Sequence, residues 1–546
     1  MRRKNTGRGA SCAAAVGAAL AAAFASGQAM AFRVDAGNPD VELRWDNTVK
    51  YNAGWRMEGR DRTLADTPSL HGSEYKFGKG DMVTNRVDLL TELDLIYRNK
   101  YGFRLSGAAW YDAAYDDKVK GNPLYGGASA YPGGRYTRDV KRAYMHSGEL
   151  LDAFVFGRFD IGNVPINVKA GRHALYWGES LFSPIHGVSY SQSPADFRKA
   201  QATPGVEAKE LFLPLNQISA QAQITDTVSV AAQYFLEWDS YRFPHGGTYL
   251  GSFDALFARG TTLGGLQYDG NRHHGRYKTP GDAGNWGVNV RMAPEWLGGT
   301  LGLYYRNFDD KLPTVLLDPV NFHLHNAYAE DVKLFGASLS KEVGGISYGA
   351  ELVYRKGTAL NTGFQPELAI GDTWHALANM VAYIGKTALF DSATFMGELS
   401  YSRLDKVRRG TRAYFNHVDY AGCATGDEDD GCSTDDAWGI SMSFTPLWYQ
   451  LLPSTDVSMP ISFNTGLSGN SPVPGGGNEG NGSWSIGLSF DYQARYKFDV
   501  AYTDYFGDYS STHTGGVPGK VLNTTNGSNA LLNDRGWLSF TFKTTF

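Results

Sequence analysis

The chain of 546 residues is rich in glycine (66) and in aromatic residues (13%), with 20% charged residues and a formal net charge of −5. Its mean hydropathy is −0.34, and beyond residue 31 no apolar run approaches the roughly 18 residues of a membrane helix. These values exclude a helical membrane protein, and the acid excess argues against nucleic acid as a partner.

The first element in chain order is a targeting segment. Arg2, Arg3, Lys4 and Arg8 form a basic start, "AAAVGAALAAAFA" an apolar core, and "AMA" at 29–31 a small-x-small cleavage site. Residues 1–31 read as a cleavable signal peptide that takes Cys12 with it, and 32–546 as a single domain. Four of the 51 basic and none of the 56 acidic residues lie in the leader, so the exported part carries 47 basic against 56 acidic residues, a formal −9.

Strands follow. In "VELRWDNTVKYNAGWRME" (41–58), Val41, Leu43, Trp45, Val49, Tyr51 and Trp55 share one parity, and Glu42, Arg44, Asp46, Lys50, Asn52 and Arg56 share the other. Successive strand side chains point to opposite faces, so one face is apolar and one is charged. The pattern recurs near 86–97, 103–115, 150–161, 164–175, 218–225, 228–238, 286–292, 300–307, 332–341, 346–355, 374–384, 393–402, 438–445, 457–463, 484–492, 497–505 and 535–546. That makes eighteen candidates, or sixteen if two weak ones merge. A tight hairpin is marked at Asp226-Thr227, although Asp-Thr is not a favoured turn pair.

Connections alternate in length. Those at 98–102, 162–163, 226–227, 342–345 and 493–496 are tight, whereas 58–85, 116–149, 176–217, 239–285, 308–331, 356–373, 403–437, 464–483 and 506–534 are long. A soluble sandwich has no reason to segregate lengths this way. A transmembrane antiparallel β-barrel of about 16–18 strands does, with short periplasmic turns and long extracellular loops. The last strand, "RGWLSFTFKTTF", ends on Phe546 and resembles the signal that barrel-assembly machinery reads. The apolar parity is therefore expected to face lipid and the charged parity a watery lumen. At this size the lumen is an aqueous channel unless loops fill it.

Several residues stand out on the lumen parity and in the loops. "GRHALYWGES" opens a candidate inward-folded loop at 176–217, where Gly171 and Gly178 permit close backbone approach and Arg172 can pair with Glu179. The segment is either a constriction or a rigid strand-to-loop corner held by Trp177. "PGVEAKELFLPL" brings Glu207, Lys209 and Glu210, which either line the constriction or precede re-entry into the wall. Arg306, Glu351, Arg355 and Glu398 belong to a mixed-sign lumen wall whose charges mostly pair, so no strong ion selectivity is implied. Cys423 and Cys432 in "CATGDEDDGC" read as a local disulfide. The acidic run Asp427–Asp430 reads as a solvated loop. His273–His274 and His323-x-His325 lack further ligands, so neither a metal nor a cofactor is expected.

The segments "VKAGRHALYWGES" (168–180), "PGVEAKELFLPL" (204–215), "LGLYYRNFDDKLP" (301–313), "YGAELVYRKG" (348–357) and "GELSYSRLDKV" (397–407) carry a resemblance over nearly the whole exported chain. It resembles the domain-of-unknown-function-1302 family of proteobacterial outer-membrane proteins. The resemblance implies a porin-like protein of the Gram-negative outer membrane that handles hydrophobic compounds such as lipids, steroids or terpenoids. It supplies no site residues.

The leading functional reading is a porin-like channel for small solutes, hydrophobic or lipid-like ones included. The alternative is a surface adhesion or structural barrel, because the outer loops are long and aromatic. A rim-located lipid hydrolase ranks third. His375 and Ser402, on neighbouring strands but read as near opposite ends of their hairpin, do not identify a dyad, and there is no nucleophile elbow, phosphate loop or zinc motif. The chain is thus expected not to be an enzyme. Expected partners are outer-membrane lipid and lipopolysaccharide, the barrel-assembly machinery, a small-molecule solute and a periplasmic carrier.

Overall fold

The computed structural model describes residues 32–34, 37–67, 75–116, 118–127, 129, 131–203, 206–254, 256–257, 266–273, 276–416, 423, 426–513 and 520–546. The expected leader at 1–31 and His274 lie outside the described residues.

Alternating sequence becomes a closed, all-β antiparallel barrel of eighteen wall strands. They are β1 Val41–Arg56, β2 Met82–Tyr97, β3 Tyr101–Asp112, β4 His146–Ile161, β5 Val164–His173, β6 Leu215–Thr225, β7 Val228–Phe235, β8 Trp286–Met292 and β9 Gly299–Phe308. There follow β10 Val332–Val343, β11 Ile346–Ala359, β12 Ile370–Ile384, β13 Ser392–Arg409, β14 Asp436–Leu452, β15 (Thr455–Ser458 and Ile461–Ser468), β16 Gly482–Tyr492, β17 Tyr496–Phe506 and β18 Trp537–Thr545. No two candidates merge. β15 is interrupted at Met459-Pro460, where proline has no N–H for the ladder.

The ring closes between β1 and β18, from Thr48↔Thr545 to Arg56↔Trp537. The backbone of Phe546 then exchanges two hydrogen bonds with Asn47, at 2.7 and 2.9 Å, and Phe32–Val34 continues the same edge along Leu43–Trp45. Closure leaves no sheet edge around the seam.

Burial is inverted relative to a soluble domain. Trp45, Leu105, Val155 and Leu352 are 45–59% exposed on the outside, whereas Lys50, Arg306 and Arg355 are fully buried inside. The inner face needs ion partners and the outer face needs an apolar medium.

Turns follow local chemistry. At Gly344–Gly345 both residues have positive φ, as a two-residue hairpin with the strand twist requires. Asp226-Thr227 turns without such residues. A register shift after Gln223 frees the Thr225 hydroxyl, which accepts from the Thr227 and Val228 amides at 3.3 and 3.1 Å.

Several boundaries differ from the sequence expectation. β4 begins at His146, β13 reaches Arg409 and β14 spans Asp436–Leu452, because polarity is mixed near the rims and masks the alternation. The third long loop is 174–214 rather than 176–217, since Leu215–Gln217 already pairs with Gly171–His173.

Candidate functional site in the bore

The third loop crosses the bore. Its first arm docks on β7 to β13. Wall carboxylates here meet backbone amides. Glu351 of β11 accepts from the amides of Glu179, Ser180 (3.0 Å) and Val188 (2.6 Å). Glu398 of β13 accepts from Leu181 (2.6 Å), Phe182 (3.1 Å) and Ser183 (2.6 Å). Three N–H groups stand in for the water that each buried carboxylate gives up. Asn379 of β12 adds a bond to the Glu179 carbonyl at 2.6 Å, and Arg306 of β9 donates to the carbonyls of Val188 (2.9 Å) and Tyr190 (2.6 Å).

Tyr190 lies at the centre of a buried polar cluster. Its hydroxyl donates to Asp310 at 2.5 Å, and the Arg355 guanidinium lies 4.0 Å from its ring centroid. Lys311 donates to the Ser191 carbonyl at 3.0 Å, and burial, reinforced by the Arg306 charge, pulls its ammonium down to about 7. Trp177 packs beside Tyr304, and its amide donates to Gln192 at 2.9 Å.

The return arm reaches the opposite half of the wall. Asp196 caps the short helix Phe197–Ala202, and Lys199 and Arg242 both bind Glu149 of β4. Glu207 binds Lys543 of β18, Lys209 binds Glu92 of β2, and Glu210 forms a buried ion pair with Lys50 of β1. The arm then re-enters the wall at Leu215.

Of the residues singled out from sequence, Trp177, Glu179, Glu207, Lys209, Glu210, Arg306, Glu351, Arg355 and Glu398 come together in or against this loop. Arg172 does not. It stands opposite Asn216 on the outward register and binds Glu237 at 2.7 Å, while Glu179 pairs with Arg291 at 3.3 Å. The two do not meet because Arg172 lies on the outward register of β5, whereas Glu179 lies in the loop that is held inside the bore by Asn379 and Arg291. His375 and Ser402 also differ from expectation, since they are direct register partners across β12 and β13. His375 bonds to Thr373, Arg355 and His186, and Ser402 to Ser471. Sequence reasoning missed His186, Tyr190, Gln192 and Asp310, which lie in loops where no periodicity marks them. Cys423 and Cys432 form a disulfide. Among the described residues, no group of three His, Cys, Asp or Glu could hold a metal ion.

His186 should make this docking pH-dependent. Its ring shares a hydrogen bond with His375 at 3.1 Å and faces the Gly476 carbonyl at 3.1 Å. Burial first, then the Arg355 charge, pull it down to about 4, against the raising effect of that carbonyl. An undocked His186 titrates near its ordinary 6.5. Between those values only the undocked loop takes the proton, so docking weakens as pH falls from 6.5 toward 4 and is unaffected above. The loss reaches about 3 kcal/mol at the acid end. Current fluctuations through the bore should grow over that window in wild type and not in His186→Gln. Identical profiles in the two proteins would remove His186 from the docking.

The fold and site define a closed β-barrel crossed by its own third long loop. The chain belongs to the family described as protein of unknown function (DUF1302), whose model matches residues 12–546. No curated protein matches it. Similar solved structures include the outer membrane channel DcaP of Acinetobacter baumannii, at 8% identity and TM-score 0.35, covering 95% of this chain and 100% of that one. OccAB1 of Acinetobacter baumannii is 9% identical at TM-score 0.41, covering 92% and 96%. OpdK of Pseudomonas aeruginosa, solved with vanillate, is 9% identical at TM-score 0.39, covering 92% and 98%.

Proposed function

We propose that the chain is a substrate-selective channel of the Gram-negative outer membrane, with residues 174–214 as its constriction. The observation that carries this reading is the inverted barrel, apolar outside and charged inside, whose bore is crossed by a loop tied to both halves of the wall. The apolar belt suits lipid and the lined bore suits water. Bore-crossing loops narrow a barrel that would otherwise leak. The solute is a small molecule, with hydrophobic or lipid-like compounds the class implied by the family resemblance. Assembly would use the barrel-assembly machinery, and lipopolysaccharide would surround the long loops.

In planar bilayers the purified full chain should give discrete conductance steps, and liposomes containing it should swell at rates that differ among sugars, carboxylates and amphipathic acids. A barrel that conducts nothing and swells in no solute would instead be a surface structural protein.

A further inference from the structure

The wall is not laddered along its full height. β5 stops at His173, and its pairing with β4 runs only from Ala153↔Arg172 to Ile161↔Val164. Above that, His146–Leu150 of β4 remains paired with β3, from Tyr111↔His146 to Gly107↔Leu150. On its other side, among the described residues, no strand pairs with His146–Asp152. Leu213 and Pro214, where the third loop returns to the wall, face this edge across a cavity of about 420 Å³.

The cavity is lined by residues from both faces of the wall. Leu150 and Leu151 are consecutive strand residues, so their side chains leave opposite faces. Leu150 is 52% exposed outside, while Leu151 is buried against Leu90 and Ala108 inside the bore. Both line the cavity. The floor repeats the pattern. Arg172 belongs to the outward register, and Glu149 and Arg242, paired at 2.8 Å, line the inner end.

The facing edges cannot zip together. Pro214 has no N–H to donate, and the Leu213 N–H is already given to the Pro194 carbonyl at 2.7 Å. An open strand edge at membrane depth is tolerated only where it lines a cavity that satisfies its backbone groups.

We propose that this notch is a lateral portal through which an elongated solute with an apolar body and one polar end passes between the bore and the membrane interior. The inference rests on the channel reading above. Leu150, Leu151, Ala153 and Leu213 offer apolar walls to the body of the solute. Arg172 and Arg242, shared with Glu237 and Glu149, offer hydrogen bonds to its polar end. The volume suits a molecule of small-ligand size. A wholly polar solute meets the apolar stretch of Leu150, Leu151, Ala153 and Leu213, which offers its body nothing in place of water, so it keeps to the bore.

The test uses the full chain in intact Gram-negative cells, whose lipopolysaccharide leaflet slows spontaneous entry of apolar probes. Uptake of 11-(dansylamino)undecanoate is compared with arabinose permeation for wild type, Ala153→Trp at the notch and Val155→Trp two residues further along the same face. Ala153→Trp should slow the dansyl acid at least about tenfold, while arabinose is unchanged and Val155→Trp behaves as wild type. Unchanged uptake of both probes in Ala153→Trp overturns the portal, and so does an equal fall in both, which would mean one shared path. Should Ala153→Trp lose its heat-modifiable folded form, a photo-crosslinking benzophenone residue at buried Leu213 decides. Crosslinks to phospholipid acyl chains support the portal, and their absence overturns it. A wild type that moves neither probe fails the channel reading itself, and the portal falls with it.

Discussion

Deleting residues 185–203 should raise single-channel conductance on the order of threefold or more, because an eighteen-strand bore without its crossing loop is an aqueous channel. The deletion removes the Val188 amide that reaches Glu351, both carbonyls held by Arg306, and the Lys199 bond to Glu149. The arm at 179–183 and the arm at 207–210 hold opposite halves of the wall, and after the deletion only residues 184 and 204–206 join them, so the strap across the bore loses most of its bulk and these anchoring contacts. The wall strands lie outside the deletion, and the barrel should remain heat-modifiable. Discrimination between solutes in swelling assays should fall with the rise in conductance. A subtler version replaces only the acceptors. Glu351→Ala with Glu398→Ala strips six backbone amides of charged partners, each bond contributing roughly 1.5–3 kcal/mol. It should give a smaller and noisier increase. Conductance and swelling equal to wild type in both proteins would place the constriction elsewhere.

The second large effect is expected at the other anchor. Lys50 and Glu210 are 0% and 4% exposed, so each is the other's replacement for water. Lys50→Met leaves the Glu210 carboxylate buried and unpaired, which costs about 3–5 kcal/mol. That is enough to release the return arm and expose its lysines to protease. Lys50→Met with Glu210→Met should restore most of the protection, since two apolar groups need no partner. Lys209→Ala, by contrast, should cost about 1 kcal/mol or less, because Lys209 is 39% exposed and shares Glu92 with Arg104. Additive effects of the Lys50 and Glu210 changes would show that the pair does not hold the loop.

The two anchors differ in how far they could be read in advance. Glu351 and Glu398 could be placed on the inner face by parity alone, yet their partners are backbone amides, which carry no signature in composition. Lys50 and Glu210 were both visible as charged residues, but 160 positions separate them, and nothing local links the two. Arg172 shows the opposite failure. Its neighbour Gly171 and the nearby Glu179 suggested a local pair, whereas strand parity turns Arg172 outward to Glu237.

The amino-acid sequence by itself determined the barrel. Parity along each strand, turn residues between strands and the alternation of short and long connections are properties of near neighbours, and in a closed antiparallel wall near neighbours decide the pairing. Only the tertiary structure decided what fills the bore, and where the wall parts above the end of β5. Loop docking depends on groups brought together from distant strands, such as Glu398 and Leu181, 217 residues apart. The notch depends on how far β5 extends beside β4, which no alternation within either strand records.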